Sequence, residues 1–470
     1  MTYPKKYLSN ILTMLKQSSF IIVLVSFGLF FSADGFCQGS DLNKSTYDSG
    51  SSYSYAFINP KFNVFQYANK ALIDSLMIKL EKSRYEKTSI LHFGDSHVQL
   101  DHFVSALRHS LDSVFGNAGR GMIFPFNIAK TYSHTDYNST FTGEWLSANS
   151  IQNPPKIPVG VSGFVAKTND DSATFTIKFK RGMKADSYAI NVFHKMNKGS
   201  FDVSLGDTVA FSKVYSNNIM TRFEMNQSLD SLSLKVKNSN NDTSNFYFYG
   251  MSLEKKSPGI IYHNLGVGGA SYCALLQQKY FDEQFNFLQP DIVLLDWGTN
   301  DIIYHNQISD TLEKTIVNTI KKIRSNNPNV SIILFSVQDM NYKGKNVTIC
   351  KNFSDLIRKV AIQEGCIFYD WFYVAGGRYS MKKWESNLLG RKDNIHLTAE
   401  GYKLKSSLFL SAIINGLKEY RNKNLGDNFI LPTPIDNFVP SPPILKEKLV
   451  NKKSKKSNNS KKSTLKNKRN

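Results

Sequence analysis

Cysteine is scarce and badly spaced for cross-linking. Four occur in 470 residues, no two of them in a C-x-x-C pair, which leaves a zinc ribbon or a disulfide framework without support. Loss of an N-terminal segment would leave Cys273, Cys350 and Cys366, an odd number. Cys350 and Cys366 bracket a predicted helix over 352–364, whose length of roughly 20 Å far exceeds the ~7 Å limit between bridged Cα atoms, so no essential disulfide is expected. Long apolar runs are also lacking. The one at Phe20 to Phe31 is about a dozen residues, short of the roughly 18 that span a bilayer. No internal repeat and no HExxH motif is found. What is present is core material: 41% of residues are hydrophobic, with 33 Phe and 23 Tyr. That excludes a disordered chain, and the length calls for two or three folding units.

The formal net charge of +20 suggests nucleic acid until it is located. Half of it lies in residues 446–470, where eleven Lys or Arg face one Glu. This Lys/Ser/Asn tail follows Pro432, Pro434, Pro440, Pro442 and Pro443, has too little apolar surface to fold, and carries no aromatics for base stacking. No nucleic acid is expected; an anionic envelope polymer is the partner that suits the tail. At the other end, Lys5, Lys6 and Lys16 precede the apolar run, and the small residues Ser32, Ala33 and Gly35 follow it. That is the build of an export signal, cut near Cys37 and Gln38 or kept as an N-terminal membrane anchor. The protein is therefore expected outside the cytoplasm, periplasmic or secreted.

Between these ends the hydrophobic period changes twice. Residues 38–85 read as a leader and a short helix, Ala68 to Lys82. Thr88 to Phe93 is a β-prone run, and from Val98 onward Phe103, Val104, Leu107, Leu111, Val114 and Phe115 recur at helical spacing. This strand, turn and helix form a first piece, 86–121. Over 122–257 the pattern alternates, as in 173–179, 188–193, 201–205, 232–236 and 245–249, which predicts an inserted antiparallel β-sandwich. From 258 to 422 apolar strands at 260–264, 292–296, 330–337 and 366–371 alternate with helical patterns, ending in a helix from Ala399 to Tyr420. Continuous apolar strands alternating with helices predict an α/β domain whose parallel sheet is covered on both faces. Residues 423–470 form the tail.

Ligands of open parallel sheets sit at the carboxyl ends of the strands. Four polar clusters fall there: Gly94-Asp95-Ser96-His97, the Gly266 to Ser271 stretch, Gly298-Thr299-Asn300-Asp301, and Asp393-Asn394-Ile395-His396. Ser96, on a turn into a helix, suits a nucleophile but needs a base, which His396 supplies; Asp393 orients the imidazole. The Ser96 and Gly269 amides and the Asn300 side chain suit an oxyanion hole. Taken singly, each cluster is an ordinary turn or cap. Their order along successive strands is what gives them weight.

These blocks resemble those of the SGNH, or GDSL-type, hydrolases. The resemblance covers 86–121 and 258–422 and implies a three-layer α/β/α flavodoxin-like fold, with Ser96 as nucleophile, Gly269 and Asn300 as oxyanion donors, and Asp393 and His396 as orienter and base. No cofactor is implied. The Gly94 to Gln99 form of the first block, Gly119-Arg120-Gly121, the Gly376 to Trp384 segment and a β insert are similar to exported members acting on O-acetylated polysaccharide or peptidoglycan. The chain departs from the family in carrying His97 after the serine and in lacking a glycine a few positions on.

Candidate substrate-binding residues are His97, Arg120, Asp301 and Trp384, each with a structural role to set beside it: a hydrogen-bonding core histidine, a helix cap, a turn residue and a buried aromatic. Trp297, like Trp384, stands between shaping an acyl or sugar pocket and the default of a buried aromatic, and Cys273 reads as a packing residue. Asp95, His97, Asp101 and His102 cluster like metal ligands, but a helix turns them to different faces, so no metal is expected. The expected activity is an esterase removing short acyl groups from a glycan. A sugar hydroxyl replacing water would make it an O-acetyltransferase, and loss of activity would leave a glycan-binding scaffold.

Overall fold

The computed structural model describes residues 55–425, apart from 184–187, 198, 207–210, 226, 228 and 240–242, together with the short strand Asn43–Lys44. The expected signal or anchor, most of the leader and the tail beyond 425 lie outside the described residues. Among the described residues no helix is long and apolar enough to cross a membrane.

Five strands form the centre: β1 (Lys87–Gly94), β2 (Gly259–Gly266), β3 (Ile292–Asp296), β4 (Ser331–Phe335) and β5 (Ile367–Tyr369). They pair in parallel in the order β2-β1-β3-β4-β5, the flavodoxin-like order. Every residue of β2 to β5 is buried, and only Lys87 of β1 is exposed. Successive side chains point to opposite faces. Ile90, Leu294, Ile333 and Tyr369 pack with the helices Lys70–Lys82, His102–Phe115 and Ala399–Leu425. Leu91, Leu295, Leu334 and Phe368 pack with Phe281–Leu288, Leu312–Asn326 and Cys350–Gln363. Burial on both faces is why these strands read as unbroken apolar runs. The helix anticipated from Val98 is two: Ser96–Gln99 and His102–Phe115, broken at Asp101, whose φ is 61°. Asp101 can hold this left-handed turn because its carboxylate accepts hydrogen bonds from the Thr135 amide and hydroxyl and from Asn264 Nδ2.

The region 122–257 is joined to this sheet edge to edge. Asn117–Ile123 runs parallel to β2 on one side and antiparallel to Phe246–Lys255 on the other. Tyr188–Lys195, Met220–Met225 and Phe211–Ser216 continue outward, all antiparallel. The seam depends on two glycines in left-handed or strained backbone: a Cβ at Gly119 would lie 2.4 Å from the Leu253 carbonyl oxygen, and one at Gly121 would lie 2.5 Å from that of Tyr262. A second antiparallel sheet, of Phe201–Leu205, Leu229–Asn238, Thr174–Met183 and Tyr137–Thr142, packs against the extension. Phe175 meets Phe248 at 4.8 Å and Phe201 meets Phe246 at 5.8 Å between ring centroids. One layer of the expected insert is thus a continuation of the parallel sheet.

Candidate active site

The site is assembled where β1, β2 and β3 end and the loop after β5 arrives. Gly94 closes β1; a Cβ there would lie 2.2 Å from Val98 Cγ2, so the chain must turn tightly into the short helix. Asp95 caps that helix, accepting from the His97 amide at 2.9 Å. The turn delivers Ser96 to His396 from 300 residues away: Ser96 Oγ is 2.8 Å from His396 Nε2. His396 Nδ1 is 2.9 Å from Asp393 Oδ2, and Asp393 Oδ1 accepts from the Ile395 and His396 amides at 2.9 Å each. Partial burial raises the Asp393 carboxyl, but the His396 and backbone hydrogen bonds outweigh it and hold it well below the usual carboxylate range. A charged Asp393 accepts a hydrogen bond from Nδ1–H, which fixes the tautomer and leaves Nε2 to accept from the Ser96 hydroxyl.

Two amides in these turns have no hydrogen-bond partner among the described residues, those of Ser96 and Gly269. Gly269 has φ +87° and would place a Cβ 3.3 Å from Ile151. The third expected donor, Asn300 Nδ2, gives one hydrogen to the Ala270 carbonyl at 2.9 Å and lies 3.5 Å from Asp95 Oδ2. It therefore sits beside the Gly269 loop with its second hydrogen weakly engaged. Burial pushes the Asp95 carboxyl up to about 7.

Of the four substrate candidates, three are engaged in structural contacts. Trp384 is 1% exposed, gives its indole N–H to the Ala375 carbonyl at 2.8 Å and packs on Trp371; it is core, because the helix Ser380–Ser386 turns that face inward. Arg120 is a buried bidentate partner of Asp136, at 2.7 and 2.9 Å, and has no free face for an anion. Asp301 accepts from the Tyr272 amide at 3.3 Å, bracing the loop after Gly269. His97 lies beside the triad, its ring 5.0 Å from that of His396, with Nδ1 2.8 Å from the Tyr402 hydroxyl. Burial, His396 and Lys405 push its pKa well below the ordinary value, so it stays neutral. Trp297 is core, and Cys273, Cys350 and Cys366 are free thiols.

Three contributors were not singled out from the sequence. Gln99 accepts from the Gly268 amide and donates to Thr131 Oγ1 and the Tyr132 carbonyl, holding the loop that carries Gly269; its place three residues after Ser96, on the same helical turn, was the available signal. Tyr402 and Ile151 gave none. One group of metal-ligand type occurs among the described residues, Asp101, His134 and Asp136. Arg120 and Arg108 already neutralise its carboxylates, so it is an ion-pair network and a poor cation site.

Residues 230–404 match the family described as GDSL-like lipase/acylhydrolase. This chain carries a GDSL-like hydrolase domain. The match takes in Gly269, Asn300, Asp393 and His396 but begins after Ser96, which the fold supplies. As an acylhydrolase domain with a serine-centred site, it is an ester-hydrolysing serine hydrolase. No curated protein matches the chain. Among solved structures, a peptidoglycan O-acetylesterase is 21% identical and covers 75% of this chain and 99% of its own, with a TM-score of 0.63. That share is more than 86–121 and 258–422 contain, so the common fold includes antiparallel strands. An acetylxylan esterase from Geobacillus stearothermophilus is 19% identical over 33% of this chain and 73% of its own, with a TM-score of 0.26. A family two carbohydrate esterase from Cellvibrio japonicus is 10% identical over 60% and 99%, with a TM-score of 0.25.

Proposed function

We propose that the protein is an exported esterase that removes O-acetyl or similar short acyl groups from a polysaccharide or peptidoglycan. The observation that carries this is the continuous chain from Ser96 Oγ through His396 to Asp393, with spacings of 2.8 and 2.9 Å. His396 takes the serine proton as Oγ attacks the ester carbonyl, the oxyanion is met by the Ser96 and Gly269 amides and Asn300, and the imidazolium returns its proton to the departing sugar oxygen. Water, deprotonated by the same imidazole, then releases the acid. The His396 side chain is 23% exposed and Asp393 41%, which leaves the site open to water and favours hydrolysis over transfer to a second sugar. Residues 122–257, 86–121 and 258–422 are read as the glycan-holding insert and the two pieces of the hydrolase domain, and the similarity to a peptidoglycan O-acetylesterase supports a carbohydrate ester and an extracytoplasmic site.

The test is hydrolysis of a chromogenic short-chain acetate by wild type beside Ser96→Ala. Equal rates would remove the mechanism. A fluorophosphonate probe that leaves the folded wild type unlabelled would favour a silent glycan-binding protein.

A further inference from the structure

The loops after β4 and β5 carry an unbalanced charge. Segments 337–347 and 376–397 hold seven Lys or Arg against Asp339, Glu385 and Asp393. All seven cations are exposed, and no ion pair of the described residues includes any of them. Elsewhere exposed lysines such as Lys70, Lys351, Lys359 and Lys403 have carboxylate partners within 3 Å. Two of the three acids are also committed: Asp393 holds His396, and buried Asp339 accepts from Asn346 Nδ2 at 2.7 Å and the Met381 amide at 3.1 Å.

These segments belong to the active rim. The hairpin Asn341–Tyr342/Lys345–Asn346 is tied to the triad loop by the Asn341 amide donating to the Asn394 carbonyl at 2.9 Å. The Arg391 amide donates to the His396 carbonyl at 2.8 Å. Beside the cations stands an aromatic ledge. Tyr304, four residues beyond Asn300 and 67% exposed, meets Tyr342 edge to face at 5.1 Å, and Lys343 Nζ lies 5.2 Å over the Tyr342 ring. The ledge thus joins the segment after Asn300 to the hairpin bonded to the histidine loop. Aromatic faces suit the apolar side of a sugar ring, and uncompensated cations in the same strip suit carboxylates spaced along a polymer.

We propose that this rim selects an acidic glycan, a polymer carrying carboxylates next to its acylated sugars, over a neutral one. The inference rests on the esterase reading for its acyl chemistry and adds the charge of the substrate.

The experiment compares O-acetylated polygalacturonate with O-acetylated xylan as substrates of the full chain, with p-nitrophenyl acetate as control. Wild type is expected to turn over the acidic polymer about tenfold faster at low salt, an advantage that shrinks as salt is raised. Lys343→Glu with Lys345→Glu should cut the acidic-polymer rate about tenfold while leaving the small ester within about twofold. Lys343→Gln with Lys345→Gln gives a smaller loss in the same direction and covers the case in which charge reversal impairs folding. The basic tail is common to every protein compared, so the difference belongs to the hairpin. Equal wild-type rates on the two polymers, or a variant matching wild type on the acidic one, would overturn the proposal. A wild type inert on p-nitrophenyl acetate would instead strike the esterase reading. Binding of Ser96→Ala to polygalacturonate, with and without the hairpin changes, then decides the charge question alone.

Discussion

The central parallel strands and the outlying antiparallel strands bury their side chains by different rules. In β2 to β5 every position is inside, whereas Phe201–Leu205 in the facing sheet alternates buried and open positions and Phe211–Ser216 at the far edge is almost wholly open. The parallel half has its helices on both faces and is left with one free place for polar chemistry, the ends of its strands. Loops distant in the chain therefore meet there, which is how Ser96 reaches His396. The antiparallel half supplies a wall, Ile151 against Gly269, and contributes stability more than reacting groups.

That division of labour can be broken most sharply at His396. His396→Gln is expected to lower kcat by about 10⁴ or more with an unchanged circular dichroism spectrum; retention of a tenth of the activity would refute the role of the parallel-half loops. The converse change is Phe248→Ala, which removes a ring packed on Phe124 and Phe175. It should cost about 3–5 kcal/mol in urea denaturation yet leave kcat of the folded protein within about twofold. A large kcat loss without destabilisation would mean that the antiparallel half takes part in the chemistry. Asn300→Ala should reduce kcat by about 10²–10³, or 2.7–4 kcal/mol, with little change in KM; an effect confined to KM would make Asn300 a binding residue.

Two smaller effects sharpen the picture at the seam and the oxyanion loop. Asp112, hydrogen-bonded to Asn117 at 2.7 Å, is pushed up to about 7 by burial. The folded state then binds more protons than the unfolded one between about pH 4 and 7, so this carboxyl favours folding at low pH and loses that contribution as pH rises through 7. Relative to Asp112→Asn, wild type should weaken over that window by at most about 1.4 kcal/mol per pH unit. A constant difference between pH 5 and 7.5, measured by denaturation, would contradict the desolvation of this half-buried carboxyl. Gln99→Ala, which frees the Gly268 amide, should lower kcat about tenfold and cost about 1–3 kcal/mol of stability; an unaltered kcat would show that the loop holds its shape without it.

The same contrast explains what the sequence disclosed. β1 to β5 were legible because burial on both faces makes them largely apolar runs, and the meeting of Ser96, Asp393 and His396 because each sits in a polar cluster that interrupts the apolar pattern. The seam strand Asn117–Ile123 was not, since two of its seven residues are glycines chosen for close backbone approach, the reverse of strand propensity. Phe211–Ser216 lacks an inward face to mark it. For Arg120 and Trp384 the sequence left a ligand role and a structural one side by side for a shared reason: whether a long side chain faces ligand or core depends on a distant partner, Asp136 in one case and the Ala375 carbonyl in the other.

The hydrogen-bonded junction at Asn117–Ile123 makes the two halves inseparable in a way that a tethered module would not be. Cutting out the antiparallel half would lay bare a row of unpaired peptide groups along the formerly buried strand β2, an invitation to stick to the next copy. Any shortened version of this enzyme therefore needs a replacement border before it needs a shorter loop.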